Sequence, residues 1–369
     1  MNLTIPFNDI RRHTSLYREE IDAAIRRVLN SGQLLLGEET ASLEKALCDL
    51  LGVSHCIGVG NGTDAIEIAL RSLKIANGDI VVTVGNAGGY STTAILQVGA
   101  IPLYCEISRE TLQMDPRHLL DLLESHGDRI AAVIVTHLYG QMAEIEVISE
   151  LVSKFDVPLL EDCAQAIGAK VGGRSAGSFG IVSTTSFYPT KNLGGIGDGG
   201  AIMTDSPQIA ARARKLRQYG WSRKYAQELP MGRNSRIDEI NAAVLTAKVA
   251  HFDSMIARRN AIHSHYQETL PDGLLVHRVS SQFVPHLSVL LVRNRQSLRQ
   301  ELLKKGVSTE IHYPIPDYLQ LPNRAGGTTL GVTENTSDQV LSIPNFPELS
   351  DSEVEWVASQ AKRHALGIQ

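Results

Sequence analysis

Cysteine is scarce in this chain of 369 residues, and its four cysteines (Cys48, Cys56, Cys105 and Cys163) stand far apart with no CxxC pair. That spacing argues against a disulfide or zinc framework and for reduced, mostly buried thiols in a cytoplasmic protein. An excess of charge of one sign is missing too. Lys and Arg number 35 against 40 Asp and Glu, a formal net charge of −5. So weak an acidic bias offers no electrostatic reason for nucleic acid or an anionic membrane as partner. Residues 80–105 carry no charge, but GNAGGYSTT interrupts them, so they read as strand, loop, helix and strand rather than a membrane span. The opening MNLTIPFNDIRRHTSLYREE lacks the apolar core of a signal peptide. The 31 glycines show no collagen-like period and are expected at turns and where ligands approach the backbone.

What is present is a 43% hydrophobic content, ample for a large core, in a chain long enough for one large α/β domain and a smaller one. The spacing of Ile21, Ala24, Ile25, Val28 and Leu29 predicts a helix over 17–29, and a similar pattern predicts one over 40–51 capped by Gly52. Strands are predicted at 55–59, 80–84, 101–105, 130–136 and 157–161, with helices near 63–73, 91–98, 116–125 and 143–154 between them. Two further strands, 182–188 and 200–204, have no full helix between them. Helical patterns follow at 206–218 and 237–265, then a mixed segment with a Pro-rich stretch at 312–322. The expectation is a mostly parallel seven-stranded sheet between helices in a large domain, residues 1–250, and a smaller C-terminal α/β domain, residues 251–369. That boundary falls inside a predicted long helix.

Ligands of open parallel sheets bind beyond the carboxyl ends of the strands, and three residue groups fall there. Gly60-Asn61-Gly62-Thr63-Asp64 joins a strand to a helix. Its small glycines and the helix N-terminus suit an anion such as phosphate; a turn capped by Thr63 or Asp64 explains the same residues. Asp162, at the end of the strand 157–161, suits a metal ligand, a helix cap or the partner of a protonated ring nitrogen. No metal is expected: there is no HExxH or comparable cluster, and His263 and His265 lie two apart, off a common helix face. Lys191, in SFYPTKNLGG, follows a strand and a turn proline. A buried lysine has a lowered pKa and a nucleophilic amine, although pairing with Asp198 is the plainer alternative.

Two motifs fail their structural context. Gly195–Gly200 matches GxGxxG but precedes a strand instead of linking a strand to a helix, which argues against a nucleotide-dependent oxidoreductase. Gly173–Gly177 matches GxSxG but has no apolar strand running into Ser175.

Anion cradle, strand-end aspartate and turn lysine, 100 and 29 residues apart, together fit pyridoxal phosphate (PLP), which has a phosphate, a basic ring nitrogen and an aldehyde that needs a lysine. With them the sequence resembles the DegT/DnrJ/EryC1/StrS family of sugar aminotransferases, within the fold-type I PLP-dependent transferases. The resemblance runs from IPFNDI (5–10) through GNGTDA, THLYGQ (136–141), EDCAQAIGA (161–169), SFYPTKNLGGIGDGGAI (186–202) and NSRIDEINAA (234–243) to IHYPIP (311–316) and LSIPNFPELSDSEV (341–354). It implies that Lys191 forms the Schiff base and moves protons, that Asp162 pairs with the pyridine nitrogen, and that Gln165 lies beside the ring. Gly62, Thr63 and Ser186 would hold the phosphate. Asn234 would reach the phosphate of a neighbouring subunit, making a homodimer with shared active sites.

The resemblance further implies transfer of an amino group from an amino acid, glutamate, to a ketone of a nucleotide-linked sugar. The run 219–243 resembles enzymes that aminate C3 of a dTDP-keto sugar more than those acting on C4, and His312 and Tyr313 are candidate substrate contacts. Relatives that act as dehydratases carry histidine in place of Lys191, so the lysine argues for transamination. A regulatory protein that keeps the PLP fold without turnover is the reading from another class. Two positions depart from the family. Gly88 stands where an aromatic ring usually covers the cofactor, and Tyr90 is the expected substitute, with a core or substrate-facing Tyr90 as the alternative. Gln33 also stands where relatives often carry an aromatic.

Overall fold

The computed structural model describes residues 4–320 and 329–367; the last two residues of the Pro-rich stretch 312–322 lie outside them. Three helices come first: α1 (Ile10–Leu16), α2 (Arg18–Ser31) and α3 (Glu38–Leu51). Helix α1 was not expected. Asp9 caps it, accepting from the N–H groups of Arg11 and Arg12, and Tyr17 separates it from α2.

The alternation then follows: β1 (His55–Val59), α4 (Gly62–Ser72), β2 (Ile80–Val84), α5 (Tyr90–Gln97), β3 (Ile101–Cys105), α6 (Pro116–His126), β4 (Ile130–Thr136), α7 (Ile145–Lys154) and β5 (Leu159–Asp162). A small hairpin, β6 (Lys170–Val171) and β7 (Arg174–Ser175), precedes β8 (Val182–Ser186), β9 (Gly200–Thr204) and α8 (Pro207–Leu216). A second hairpin, β10 (Trp221–Arg223) and β11 (Ala226–Gln227), leads to α9 (Glu239–Val249) and α10 (Phe252–Thr269). The predicted helix over 237–265 is thus two helices, interrupted at Ala250 and His251.

The seven-stranded sheet has the order β1-β9-β8-β5-β4-β2-β3. All its strands run parallel except β9, which is antiparallel to both neighbours. This is the strand that no full helix separates from its predecessor, so the chain returns directly. Alternation along β4 shows how the sheet buries both faces. Val133 and Val135 enter a core with α3, α6, α7 and α9, whereas Ala132 and Ile134 enter another with α4, α5 and α8. The fold is therefore α/β, a mostly parallel seven-stranded sheet between two layers of helices.

After α10 come β12 (Ser288–Leu291), α11 (Arg295–Lys304), α12 (Asp317–Gln320), α13 (Gly331–Ser337), β13 (Val340–Ile343) and α14 (Asp351–Ala365). Strands β12 and β13 pair antiparallel, and Leu290, Leu341 and Ile343 pack with Tyr266 of α10, Leu298 of α11 and Val357 of α14 in a core of their own. All four cysteines are free thiols. Among the described residues no helix is long and apolar enough to cross a membrane.

Candidate active site

A cavity of about 240 Å³ opens at the carboxyl ends of β1, β2, β4, β5 and β8. Gly62, Thr63, Tyr90, Asp162, Gln165, Ser186 and Lys191 all line it. Residues up to 137 positions apart in the chain meet there because every parallel strand ends at the same edge.

The first wall is the turn from β1 into α4. The cap of α4 is Asn61, not Thr63 or Asp64: its side chain accepts from the Asp64 N–H at 2.8 Å. Asp64 is instead ion-paired with Arg233 at 3.0 Å. A Cβ at Gly62 would lie 2.8 Å from Cβ of Ser186, so only glycine lets α4 start this close to the end of β8. The unpaired first N–H groups of α4 and the Ser186 hydroxyl then face one space, a combination suited to an anion. Ser235 holds the turn from outside, accepting from the Gly60 N–H at 2.9 Å.

The opposite wall is the lysine loop after β8. The backbone N–H of Lys191 donates to Tyr188 O at 2.8 Å and that of Gly195 to Phe187 O at 2.8 Å, folding the loop back on itself. Helix α9 pins it from behind. Asn241 accepts from the Ile196 N–H and donates to Asp198 O, each at 2.9 Å, and Lys248 Nζ donates to Gly194 O at 2.6 Å. Nothing among the described residues hydrogen-bonds or ion-pairs with Lys191 Nζ. Burial lowers its pKa to about 8, against a weaker opposing pull from Asp162. Asp198 lies exposed on the rim, so the carboxylate that Lys191 senses is Asp162 and not the expected alternative.

Asp162 ends β5 with little support. It accepts from the Ala164 N–H at 3.1 Å and from Thr136 Oγ1 at 3.5 Å. Burial therefore raises its pKa in spite of those bonds and the nearby Lys191. Beside it, Gln165 Oε1 accepts from the Tyr139 N–H at 2.6 Å and Nε2 donates to the Tyr313 hydroxyl at 3.3 Å.

The remaining candidates fall elsewhere. Asn234 is exposed, bridged to Gln218, and does not line the cavity of its own chain. Neither His312 nor Tyr313 lines it; His312 Nδ1 pairs with Ser342 Oγ at 2.9 Å. Tyr90 lines the rim and is half exposed, which leaves its ring available from the cavity. Asn61, Thr136 and Tyr188 line the cavity without having been singled out; the preference for asparagine at helix caps was the available signal for Asn61. His137, Glu161 and Cys163 bring possible metal-ligand atoms within 4.8 Å of one another. However, both histidine nitrogens and both carboxylate oxygens already have protein partners, so the cluster offers no ready coordination site.

The model of the DegT/DnrJ/EryC1/StrS aminotransferase family matches residues 16–362. A dTDP-3-amino-3,4,6-trideoxy-alpha-D-glucose transaminase of Streptomyces venezuelae is 38% identical, over 94% of this chain and 92% of that protein. The erythromycin biosynthesis sensory transduction protein EryC1 of Saccharopolyspora erythraea is 36% identical, over 98% of this chain and all of that one. Among solved structures, S. venezuelae DesV in complex with a ketimine intermediate superposes with a TM-score of 0.93 at 37% identity, covering 98% of each chain. The chain belongs to the DegT/DnrJ/EryC1/StrS aminotransferase family, and its cofactor is pyridoxal phosphate.

Proposed function

We propose that the protein transfers the amino group of an amino acid, glutamate, to the C3 ketone of a dTDP-linked 6-deoxy sugar. The observation that carries this reading is an unpaired lysine amine and a poorly supported carboxylate facing one cavity at the strand ends. The preference for C3 and dTDP rests on the run 219–243 and on the printed name of the S. venezuelae relative.

The residues fit pyridoxal phosphate on the chemistry of their donors. The cradle at Gly62, Thr63 and Ser186 suits a phosphate, which the glycine admits and the helix N-terminus stabilises. A cationic ring nitrogen beside Asp162 would supply the partner that its buried carboxylate lacks. When bound, the cofactor supplies an aldehyde for an amine and a ring that accepts the electron pair released at a substrate carbon.

Lys191 supplies the amine and, when free, a base that takes a proton and returns it at Nζ; a pKa near 8 keeps part of it unprotonated near neutral pH. Asp162 holds positive charge at the strand end, Gln165 and Tyr90 form the side wall, and Thr63 and Ser186 orient the anionic group. Purified wild-type protein should show a visible cofactor band that Lys191→Ala abolishes. Glutamate alone should convert it to the amine form, and a panel of nucleotide keto sugars should then discharge that form. Loss of the band with retained donor turnover would sink the role of Lys191. A bound cofactor that glutamate never converts would favour the regulatory reading that the name of EryC1 suggests.

The active site is completed by a second copy, with Asn234 reaching the neighbour's phosphate. Its exposed position supports this, as do the exposed apolar Leu34, Leu35 and Ile196 around a cavity that shares Asp198 with the active-site rim. Mixed Lys191→Ala and Asn234→Ala subunits should then recover about a quarter of wild-type activity, because half the dimers are hybrid with one intact site each. Recovery of none would show that Asn234 acts within its own subunit, and a fully active Asn234→Ala homodimer would show that it does not act at all. The four free cysteines support a cytoplasmic setting for the reaction.

A further inference from the structure

Gly88 and Gly89 both adopt left-handed backbone conformations, with φ of 78° and 81°. Space differs sharply between them. A Cβ at Gly89 would meet nothing within 4 Å, whereas one at Gly88 would lie 2.7, 2.8 and 3.0 Å from Cζ, Cε1 and Cε2 of Tyr313. The hydroxyl end of the Tyr313 ring therefore occupies the space that a side chain at position 88 would need. Tyr313 arrives from a segment 225 residues away that is fixed on both sides. Tyr139 donates its hydroxyl to His312 O at 2.6 Å, and the Asp317 N–H donates to Gly85 O at 2.8 Å. From there Tyr313 touches two groups of the cavity wall without lining the cavity itself. Its hydroxyl accepts from Gln165 Nε2, and its ring meets that of Tyr90 edge-on at 6.2 Å.

We propose that Gly88 and Tyr313 are a matched pair and that Tyr313 is a positioning residue, holding Gln165 and Tyr90 from behind, rather than a sugar contact. The Gln165 amide has one fixed end, Oε1 against the Tyr139 N–H. The Tyr313 hydroxyl takes one hydrogen of Nε2 and aims the other into the cavity. Removing that hydroxyl leaves the amide free to turn about its other anchor. Enlarging Gly88 displaces the ring and with it both wall residues. The pairing is a property of the chain alone; its effect on the cofactor rests on the aminotransferase reading above.

The test uses full-length protein with and without cofactor. In the apo form, Gly88→Ala should lower the melting temperature by several degrees, through both the clash and the left-handed backbone. In a Tyr313→Ala background the same change should cost much less, because only the backbone term remains. Tyr313→Phe keeps the ring and should fold like wild type, yet weaken pyridoxal phosphate binding by about 2–10-fold, the size of one lost hydrogen bond. It should also move the pH midpoint of the visible band, and should move it no further in a Gln165→Ala background. Equal cost of Gly88→Ala with and without Tyr313 overturns the pairing. An undiminished spectral shift without Gln165 overturns the positioning role, as does a raised KM for the sugar nucleotide with an unchanged spectrum. If no variant, wild type included, binds the cofactor, the aminotransferase reading fails while the apo cycle still decides the pairing.

Discussion

Two carboxylates stand next to each other at the end of β5 and both are buried, yet their surroundings differ. Glu161 points into the closed side. It accepts from His137 Nε2 at 2.9 Å and from the N–H groups of Gly177, Phe179 and Gly180 at 2.9, 2.7 and 2.7 Å. Because His137 Nδ1 accepts from the Ala143 N–H, the ring proton sits on Nε2 and is donated to Glu161. Burial alone would raise the Glu161 pKa, but the hydrogen bond from His137 and these N–H groups outweigh it and hold it below the usual range. Asp162, one residue on and facing the cavity, has one backbone donor and one long hydroxyl contact, and its pKa goes up. Lysine repeats the contrast in part. Burial lowers Lys191 and Lys248 alike, to about 8, but Lys248 donates to Gly194 O and Lys191 Nζ has no bond. Burial by itself does not mark a functional group here. What marks it is a charge whose partners are missing on the side of a cavity.

The most severe way to test the contrast is to remove the unpaired amine. Lys191→Ala should lower turnover on the order of 10⁴-fold or more, since one side chain serves as nucleophile and as acid and base. The same change should stabilise the apo protein at pH 7. A lysine whose folded pKa is depressed costs stability while it stays protonated in the unfolded chain, and the cost fades only as pH rises from about 8 toward its unfolded value. Single-turnover kinetics and urea unfolding of the apo form measure the two effects. An apo protein destabilised by the mutation would mean that Lys191 has a hidden partner.

Next comes Asp162→Asn, which keeps shape and removes charge. It should cost about 10²–10³-fold in the donor half-reaction, comparable to loss of one preorganised electrostatic group, with little change in folding. Glu161→Gln inverts that pattern. An amide cannot accept from every N–H around it and turns a donor of its own toward them. Folding stability should fall by about 2–4 kcal/mol in urea titrations, with a smaller effect on catalysis than Asp162→Asn. Equal kinetic losses at both positions would erase the distinction between closed and open sides.

How much of this was legible in the sequence depends on whether the cause is local. The strands 55–59, 80–84, 101–105, 130–136 and 200–204 match to the residue, because short apolar runs bounded by turn residues report their own burial. Phe187 and Tyr188 were expected in a strand that ends at Ser186, since they remain apolar while the chain turns into the lysine loop. The interruption at Ala250 and His251 has no glycine or proline to announce it. Lys191, Asp162, Gln165 and the β1–α4 turn could be placed at strand ends, and that sufficed to bring them together. The pairing of Glu161 with His137, and the ring of Tyr313 over Gly88, are contacts between distant segments, and no local pattern encodes them. Gly88 looked like the loss of an aromatic group; the structure shows what fills its place.

A third buried carboxylate offers the finest grading of the comparison. Neither oxygen of Asp317 has a well-formed hydrogen bond, although the N–H groups of Gly89, Gly88 and Ala87 face it and offset part of the effect of burial. Burial dominates and raises its pKa to about 6. Its folded pKa is therefore above its unfolded one, so the stabilising contribution is present in full below about pH 4 and is lost as pH rises through about 6. Glu161, held low, works in the opposite sense: its contribution is present above the unfolded pKa and lost as pH falls. Whole-protein stability against pH mixes the two, but the difference between Asp317→Asn and wild type isolates one. That difference should shift in favour of the variant by about 1–3 kcal/mol between pH 4 and 6.5 and stay flat above. Urea unfolding at four or five pH values measures it. A flat difference throughout would mean that the three loop N–H groups fully support the charge, placing Asp317 with Glu161 rather than with Asp162.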